Sequence, residues 1–276
     1  MTEKIALLTG CSSGIGLYCA RTLSQRSGWR VFVSARQPAD VERLQAEGLT
    51  ALQLDLDSPD SIQHAVSELM AATQGRIDVL FNNGAYGQMG AVEDLSRTLL
   101  RAQFETNVFG TQELTNALLP TMRRQGHGRI IQNSSVLGFV AMRYRGAYVA
   151  SKYALEALSD AMRLELHGSG IDVVLIEPGP IASEFRNNAN KKFRQYFDDA
   201  AIAASPHHHY YQQRMSDEAP DPPFTLNADA VYRALLAAIE AKHPHRRYHV
   251  TVPTHVFWWF KRFLPTAWLD NILRRL

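Results

Sequence analysis

The sequence predicts an α/β protein in which one parallel sheet carries helices on both faces. Three observations lead there. Short apolar runs alternate with helix-length segments along most of the chain, the pattern of repeated βαβ units. Several runs are almost continuously apolar, as strands covered on both sides must be. A glycine-rich turn joins the first run to the first helical segment, at the end of the sheet where such proteins open their ligand crevice.

The expected strands are residues 5–9, 30–34, 51–54, 79–81, 129–133 and 171–176, with a weaker seventh at 248–252. Helical periodicity marks 61–72, 99–124 and 147–166, and Pro120 is expected to kink or end the second of these. The alternation fails between 178 and 227, which reads as an insertion between a strand and the next helix. Its aromatics Phe193, Tyr196, Phe197, Tyr210, Tyr211 and Phe224 favour a substrate lid over about 181–227, rather than a decorative surface loop.

Composition narrows the class. In 276 residues, 46% hydrophobic and 20% charged, a core can form without staples, and a disordered or fibrous chain is excluded. Twenty-nine Lys+Arg against 27 Asp+Glu leave +2, which argues against a dedicated nucleic-acid binder. Cys11 and Cys19 are too few for a disulfide framework and suit a reducing compartment, so a cytoplasmic location is expected. No uncharged apolar run is long enough for a transmembrane helix, and the chain starts with a strand rather than a signal-peptide pattern.

The turn reads Gly10-Cys11-Ser12-Ser13-Gly14-Ile15-Gly16. Glycines let the backbone approach a phosphate, and the following helix N-terminus offers free N–H groups and partial positive charge. Ser12 and Ser13 add hydroxyl donors. The second strand ends Val33-Ser34-Ala35-Arg36-Gln37, without the acid that bonds the ribose in an NAD site. Arg36 suits a 2′-phosphate, so NADP(H) is the expected cofactor. The alternative is NAD(H), with Arg36 solvated and Asp40 on the ribose. Cys11 lies in this turn, where a helix N-terminus favours thiolate; the plainer reading is a small turn residue without redox duty.

Tyr148 and Lys152 are four apart and share a helical face. A neighbouring ammonium favours phenolate and so lowers a tyrosine pKa from its usual ~10. Such a pair suits proton exchange with an alcohol or carbonyl oxygen. The strand before this helix ends in Ser134-Ser135, whose hydroxyls face the crevice by position, and Asn82 and Asn107 end other elements.

Together these residues resemble the short-chain dehydrogenase/reductase family over residues 4 to about 252. The family's TGxxxGIG is residues 9–16, and its YxxxK is Tyr148 and Lys152. Its serine, 13 residues before the tyrosine, is Ser135, and its tetrad asparagine is Asn107 in ETNVFG. Asp55, with Leu56 beside it, matches the adenine-contacting aspartate. The family's NNAG reads Asn82-Asn83-Gly84-Ala85, with the last two exchanged; Asn82 and Gly84 match its cofactor contacts. Pro178-Gly179 matches the PG motif, Ile181 the backbone contact to the carboxamide, and Ser183 stands for the usual Thr.

The resemblance implies a Rossmann-type sheet of about seven strands in order 3-2-1-4-5-6-7, as one domain over 1–276. It implies that Tyr148 exchanges the proton, and that Lys152 lowers the pKa of Tyr148 and binds the nicotinamide ribose. It further implies that Ser135 orients the substrate oxygen and that Asn107 supports a water-linked proton path. It also implies a homodimer or homotetramer built on the helices of Asn107 and Tyr148.

Residues 242–276 hold seven Lys+Arg, one acid, and Trp258, Trp259 and Trp268. Trp268, Leu269, Ile272, Leu273 and Leu276 form an apolar helical stripe. The segment 254–276 therefore either packs over the pocket or a subunit interface, or lies on an anionic membrane. This tail resembles a subgroup of steroid- and retinol-type dehydrogenases and bacterial aldehyde reductases. His207-His208-His209 lacks partners at metal-ligand spacing, so no metal is expected. The expected function is NADP(H)-dependent hydride transfer at the carbonyl or alcohol carbon of an apolar substrate: an aldehyde, ketone, steroid or retinoid. The competing class is a non-catalytic dinucleotide-binding regulator on the same fold.

Overall fold

The computed structural model describes residues 3–215 and 222–275. Seven strands form one parallel sheet in the order β3-β2-β1-β4-β5-β6-β7. They are β1 (Lys4–Leu8), β2 (Trp29–Ala35), β3 (Thr50–Gln53), β4 (Val79–Asn82), β5 (Gly128–Asn133), β6 (Ile171–Glu177) and β7 (Arg247–His249). The order reverses between β1 and β4, which opens a crevice at their carboxyl ends.

The helices are α1 (Gly14–Ser24), α2 (Pro38–Ala46), α3 (Pro59–Thr73), α4 (Arg97–Phe104), α5 (Thr111–Gln125), α6 (Gly146–Glu165), α7 (Phe185–Tyr196), α8 (Asp199–Ala204), α9 (His208–Met215), α10 (Ala228–Glu240), α11 (Val252–Phe263) and α12 (Thr266–Leu273). Strand residues alternate between two cores. Ala6, Leu8, Val31 and Val33 face α1, α2 and α10, whereas Ile5, Leu7 and Phe32 face α3, α5 and α6. Helix starts follow local chemistry: the Ser58 hydroxyl accepts from Ser61 N at 3.3 Å, with Pro59 in the first turn of α3.

The segment expected as one helix over 99–124 is broken elsewhere than at Pro120. A π-turn over Glu105–Gly110 separates α4 from α5. Pro120 sits inside α5, which continues to Gln125. Pro120 and Asn116 are exposed, so the carbonyl that loses its partner is on the solvent side. The π-turn presses on the loop after β3: a Cβ on Gly110 would lie 1.8 Å from the Leu56 carbonyl oxygen, so only glycine fits. The Thr106 hydroxyl also bonds the Asp57 carboxylate there. This turn, typical of functional sites, carries Asn107.

Three further expectations change. The seventh strand ends at His249, and Val252 instead opens α11 with Pro253 in its first turn, where proline suits a helix. The described part of 181–227 is mostly helical, as α7, α8 and α9. Of its aromatics, Phe193, Phe197 and Tyr211 pack into their own core with Met89, Leu99 and Ala147. The Tyr211 hydroxyl donates to Asp94 at 2.5 Å, and Tyr210 stacks on Tyr144 at 3.7 Å. The tail splits between faces. Thr254 and Leu269 are buried and Trp258 lies 5.5 Å from His249, while Val252, Val256, Trp259 and Phe263 form an exposed stripe. Leu276 lies outside the described residues.

Candidate active site

Three strand ends of the crevice, those of β1, β4 and β5, are held by one side chain, that of Asn83. The Asn83 amide nitrogen donates to the Thr9 carbonyl at 3.0 Å and the Gly10 carbonyl at 3.2 Å. Its oxygen accepts from the Asn133 side chain at 2.8 Å. The Thr9 hydroxyl oxygen accepts from the backbone N–H groups of Asn83 and Gly84, each at 2.9 Å. Asn82, the residue singled out by sequence, instead points into the core and donates to Thr115 at 2.9 Å. Alternation along β4 decides this, because consecutive side chains point to opposite faces.

The glycine turn has the shape expected of it. Gly10 has φ +67°, and a Cβ on Gly16 would lie 2.2 Å from the Gly10 carbonyl oxygen. The exchanged Gly84-Ala85 pair is tolerated, because Ala85 is not among the positive-φ residues. Arg43 braces the turn: it donates to the Ser12 carbonyl at 2.7 Å and to Asp40 at 3.0 Å. Asp40 is thereby engaged within α2. Arg36 is exposed at the end of β2, and no ion pair involves its guanidinium among the described residues. The Asp55 carboxylate accepts from Asp57 N at 3.1 Å in the turn after β3, which carries Leu56. On the facing wall, Ser183 lies opposite Gly14, whose added Cβ would be 3.1 Å from the Ser183 Cβ. Ile181 pairs with Leu226 in a short bridge after Pro178-Gly179. Cys11 and Cys19 are buried, and burial pushes the Cys11 thiol up to about 12, so neither is a thiolate at neutral pH.

Helix α6 lines up Tyr148, Lys152 and Glu156 among its buried residues, one helical turn apart. Ser135 sits beyond β5; its hydroxyl oxygen accepts from Leu137 N at 3.1 Å and interacts with the Tyr148 hydroxyl. Lys152 Nζ donates to the Asn133 carbonyl at 2.6 Å and lies 5.7 Å from the centre of the Tyr148 ring. Asn107 Nδ2 donates to the Tyr86 carbonyl and the Ser151 hydroxyl, each at 3.0 Å, and Oδ1 accepts from Tyr86 N at 3.2 Å. Tyr148, Lys152 and Ser135 therefore meet, and Asn107 joins the same helix through Ser151, the residue before Lys152.

The electrostatics differ from the simple Tyr–Lys expectation. Burial pushes the Tyr148 phenol up to about 12, against the opposing pull of the Ser135 hydroxyl and the Arg145 guanidinium. Burial also pushes Lys152 down to about 8, while the Glu156 charge works the other way. Burial is the largest effect on both groups, and Lys152 is bonded to the Asn133 carbonyl rather than to the phenol.

Sequence reasoning missed three residues here. Asn83 could have been recognised by its place after the alternating β4 residues. Arg145 immediately precedes α6, three residues before Tyr148, and Phe185 is the first aromatic after the Pro-Gly turn. The Phe185 ring lies 5.4 Å from the Tyr148 ring and packs over Gly87, where a Cβ would be 2.6 Å from it. No group of three or more His, Cys, Asp or Glu among the described residues could hold a metal ion, and His207 lies 2.6 Å from Glu93.

The short chain dehydrogenase family matches residues 4–194. An uncharacterized oxidoreductase of Escherichia coli (strain K12), YbbO, is 42% identical over 277 residues, covering 99% of this chain and 94% of its own. Retinol dehydrogenase 8 of Homo sapiens is 36% identical over 191 residues, covering 66% of this chain and 60% of its own. The closed form of a serine dehydrogenase complexed with NADP+ superposes with a TM-score of 0.72 at 25% identity, covering 91% and 95% of the two chains. The family match spans the glycine turn, the Asn82–Ala85 loop, Ser135, Tyr148 and Lys152, and on that ground the chain belongs to the short-chain dehydrogenase family of oxidoreductases.

Proposed function

We propose that the protein is an NADP(H)-dependent carbonyl reductase or alcohol dehydrogenase acting on an apolar aldehyde, ketone, steroid-like or retinoid-like substrate. The observation that carries this reading is the convergence of Ser135, Tyr148 and Lys152 on one buried point beside the glycine turn. The fit to a dinucleotide rests on the close approach at Gly10 and Gly16 and on the serines that follow Gly10. Arg36, with no acidic partner among the described residues, and Asp40, held by Arg43, favour the 2′-phosphate form. Arg36, Asp55 and Leu56 would border the adenosine half. Gly84 would border the cofactor beside the glycine turn, and Pro178, Gly179, Ile181 and Ser183 would border the nicotinamide half, with the Lys152 ammonium on its ribose.

The chemistry a bound nicotinamide supplies is transfer of a hydride to or from the substrate carbon. The protein supplies the proton. With its phenol pushed up to about 12, Tyr148 is neutral across the physiological range and is built to donate to a carbonyl oxygen as that oxygen gains charge. Ser135 orients the same oxygen. Arg145 stabilises the phenolate left behind. Asn107 fixes Tyr86 against Ser151 and so holds the crevice wall beside α6; a water-linked path to Lys152 would begin from it. Phe185 covers Tyr148 and keeps water from it. The apolar substrate class rests on this ring, on Tyr86, and on the likeness to retinol dehydrogenase 8. A homo-oligomer through the Asn107 turn and α6 is supported by exposed Phe109, Leu158 and Leu164.

The tail supports peripheral membrane contact. Val252, Val256, Trp259 and Phe263 are 55%, 39%, 55% and 70% exposed and recur every three or four residues on α11. Trp259 stacks on Phe263, Trp268 is 65% exposed, and Lys261 and Arg262 flank the stripe. Such an aromatic, basic face suits the headgroup region of an anionic bilayer. No helix among the described residues is long and apolar enough to cross one.

Three outcomes test these readings. Tyr148→Phe should abolish NADPH-dependent reduction of retinal or a long-chain aldehyde while NADPH fluorescence titration still shows binding; near-normal turnover overturns the mechanism. Arg36→Ala should raise the Kd for NADPH about tenfold or more, the loss expected of a charge-assisted pair. NADH binding should stay unchanged, and equal effects on both cofactors would remove Arg36 from the 2′-phosphate. Third, the full chain should co-sediment with vesicles containing anionic phosphatidylglycerol, and a W259S/F263S double variant should not. Binding that survives the double change, or its absence in the unaltered protein, counts against membrane contact.

A further inference from the structure

A set of titratable side chains lies buried directly behind the reaction centre. Glu156 and Glu177 are 7% and 1% exposed. Arg247 reaches Glu156 at 2.9 Å, Asp160 at 2.8 Å and Glu177 at 3.4 Å, and His249 Nδ1 lies 2.6 Å from Glu177. Burying ion pairs is a poor way to stabilise a fold, because desolvation cancels most of the attraction. Their placement suggests another use. Glu156 is one helical turn beyond Lys152, on the buried stripe that starts with Tyr148. It also faces the end of β5. Ser134 Oγ and Glu156 Oε1 look across Gly138, where a Cβ would lie 2.6 Å from the first and 3.0 Å from the second. The hydroxyl favours the carboxylate from there, although the pair falls short of full hydrogen-bond geometry. Ser134 is flanked by Ser135 and by Asn133, whose carbonyl holds Lys152.

We propose that Glu156, clamped by Arg247, is a positioning residue that keeps the Lys152 ammonium charged and in place against the end of β5. The inference rests on the proposed Tyr148–Lys152 chemistry. Its sign follows from the groups present. Lys152 loses its proton near pH 8 because it is buried, and a negative Glu156 opposes that loss. Glu156 is itself raised, by burial first and then by Glu177, while Ser134 and Arg247 favour its ionised form and Asp160 opposes it. His249 faces Glu177 from β7, and Lys261 and Arg262 of α11 border the cavity of about 410 Å³ that Glu156 and Arg247 also line. An ionised Glu156, one helical turn away, therefore favours the charged form of Lys152 against its burial.

The test is the pH profile of kcat/KM for the intact enzyme with NADPH and retinal. Glu156→Gln should move the alkaline limb to lower pH by about half a unit or more, with Kd for NADPH at pH 7 within about twofold of the parent. Glu156→Asp should restore most of the limb. Ser134→Ala, which removes a small hydroxyl and should fold, should move the limb the same way by less. If the glutamine variant does not fold, the aspartate and Ser134→Ala variants decide the matter. A limb that stays in place in every folded variant, whatever the loss in rate or melting temperature, reduces Glu156 to a structural brace. Failure of the parent reading looks different: there Tyr148→Phe keeps its activity.

Discussion

The arrangement of the crevice depends on the Asn83 amide. One side chain satisfies two backbone carbonyls at the end of β1 and receives the Asn133 side chain from the end of β5. The Asn133 carbonyl in turn holds Lys152. The glycine turn and the α6 residues are thus tied by a chain of short hydrogen bonds, part-buried at Asn83 and buried at Lys152, where each bond counts for more than it would at the surface. Removing a partner there leaves buried groups unmatched, at a cost of about 1–3 kcal/mol each.

Around that tie, burial sets the protonation states. Desolvation drives both Tyr148 and Lys152 toward their neutral forms, the phenol upward and the ammonium downward. Arg145 and Glu156 oppose this from opposite ends of the same helical stripe. The site therefore holds an undissociated acid next to a cation whose charge needs support, an arrangement suited to giving a proton to a nascent alkoxide. The tail contributes from outside. The inner face of α11 closes over His249 and Gly179, and its outer face is left apolar and aromatic.

Much of this was legible in the sequence, for identifiable reasons. Apolar runs covered on both faces announced the parallel sheet, and the glycine turn and YxxxK spacing are local patterns that survive without tertiary knowledge. Tyr148, Lys152 and Ser135 converge because each lies just past a strand end or in the first two turns of a helix, which topology alone brings together. What was hidden depends on contacts between distant segments. The π-turn at Glu105–Gly110 arises from backbone pressed on Leu56, which no periodicity reports. Pro120 was misjudged because its cost depends on which side faces water. The aromatics of 193–211 look like a lid by composition, yet they mostly pack on one another, and the ring that reaches Tyr148 is Phe185. The shifted proton affinity of Tyr148 follows from burial, which spacing cannot weigh against a neighbouring charge.

The most direct measurement is on Asn83→Ala: NADPH affinity and turnover, determined together on protein shown to be folded. The account predicts that both fall by about tenfold or more, because one amide holds the cofactor turn and the Lys152-bearing strand end. A folded variant that keeps both near the parent values, or loses one alone, would contradict it.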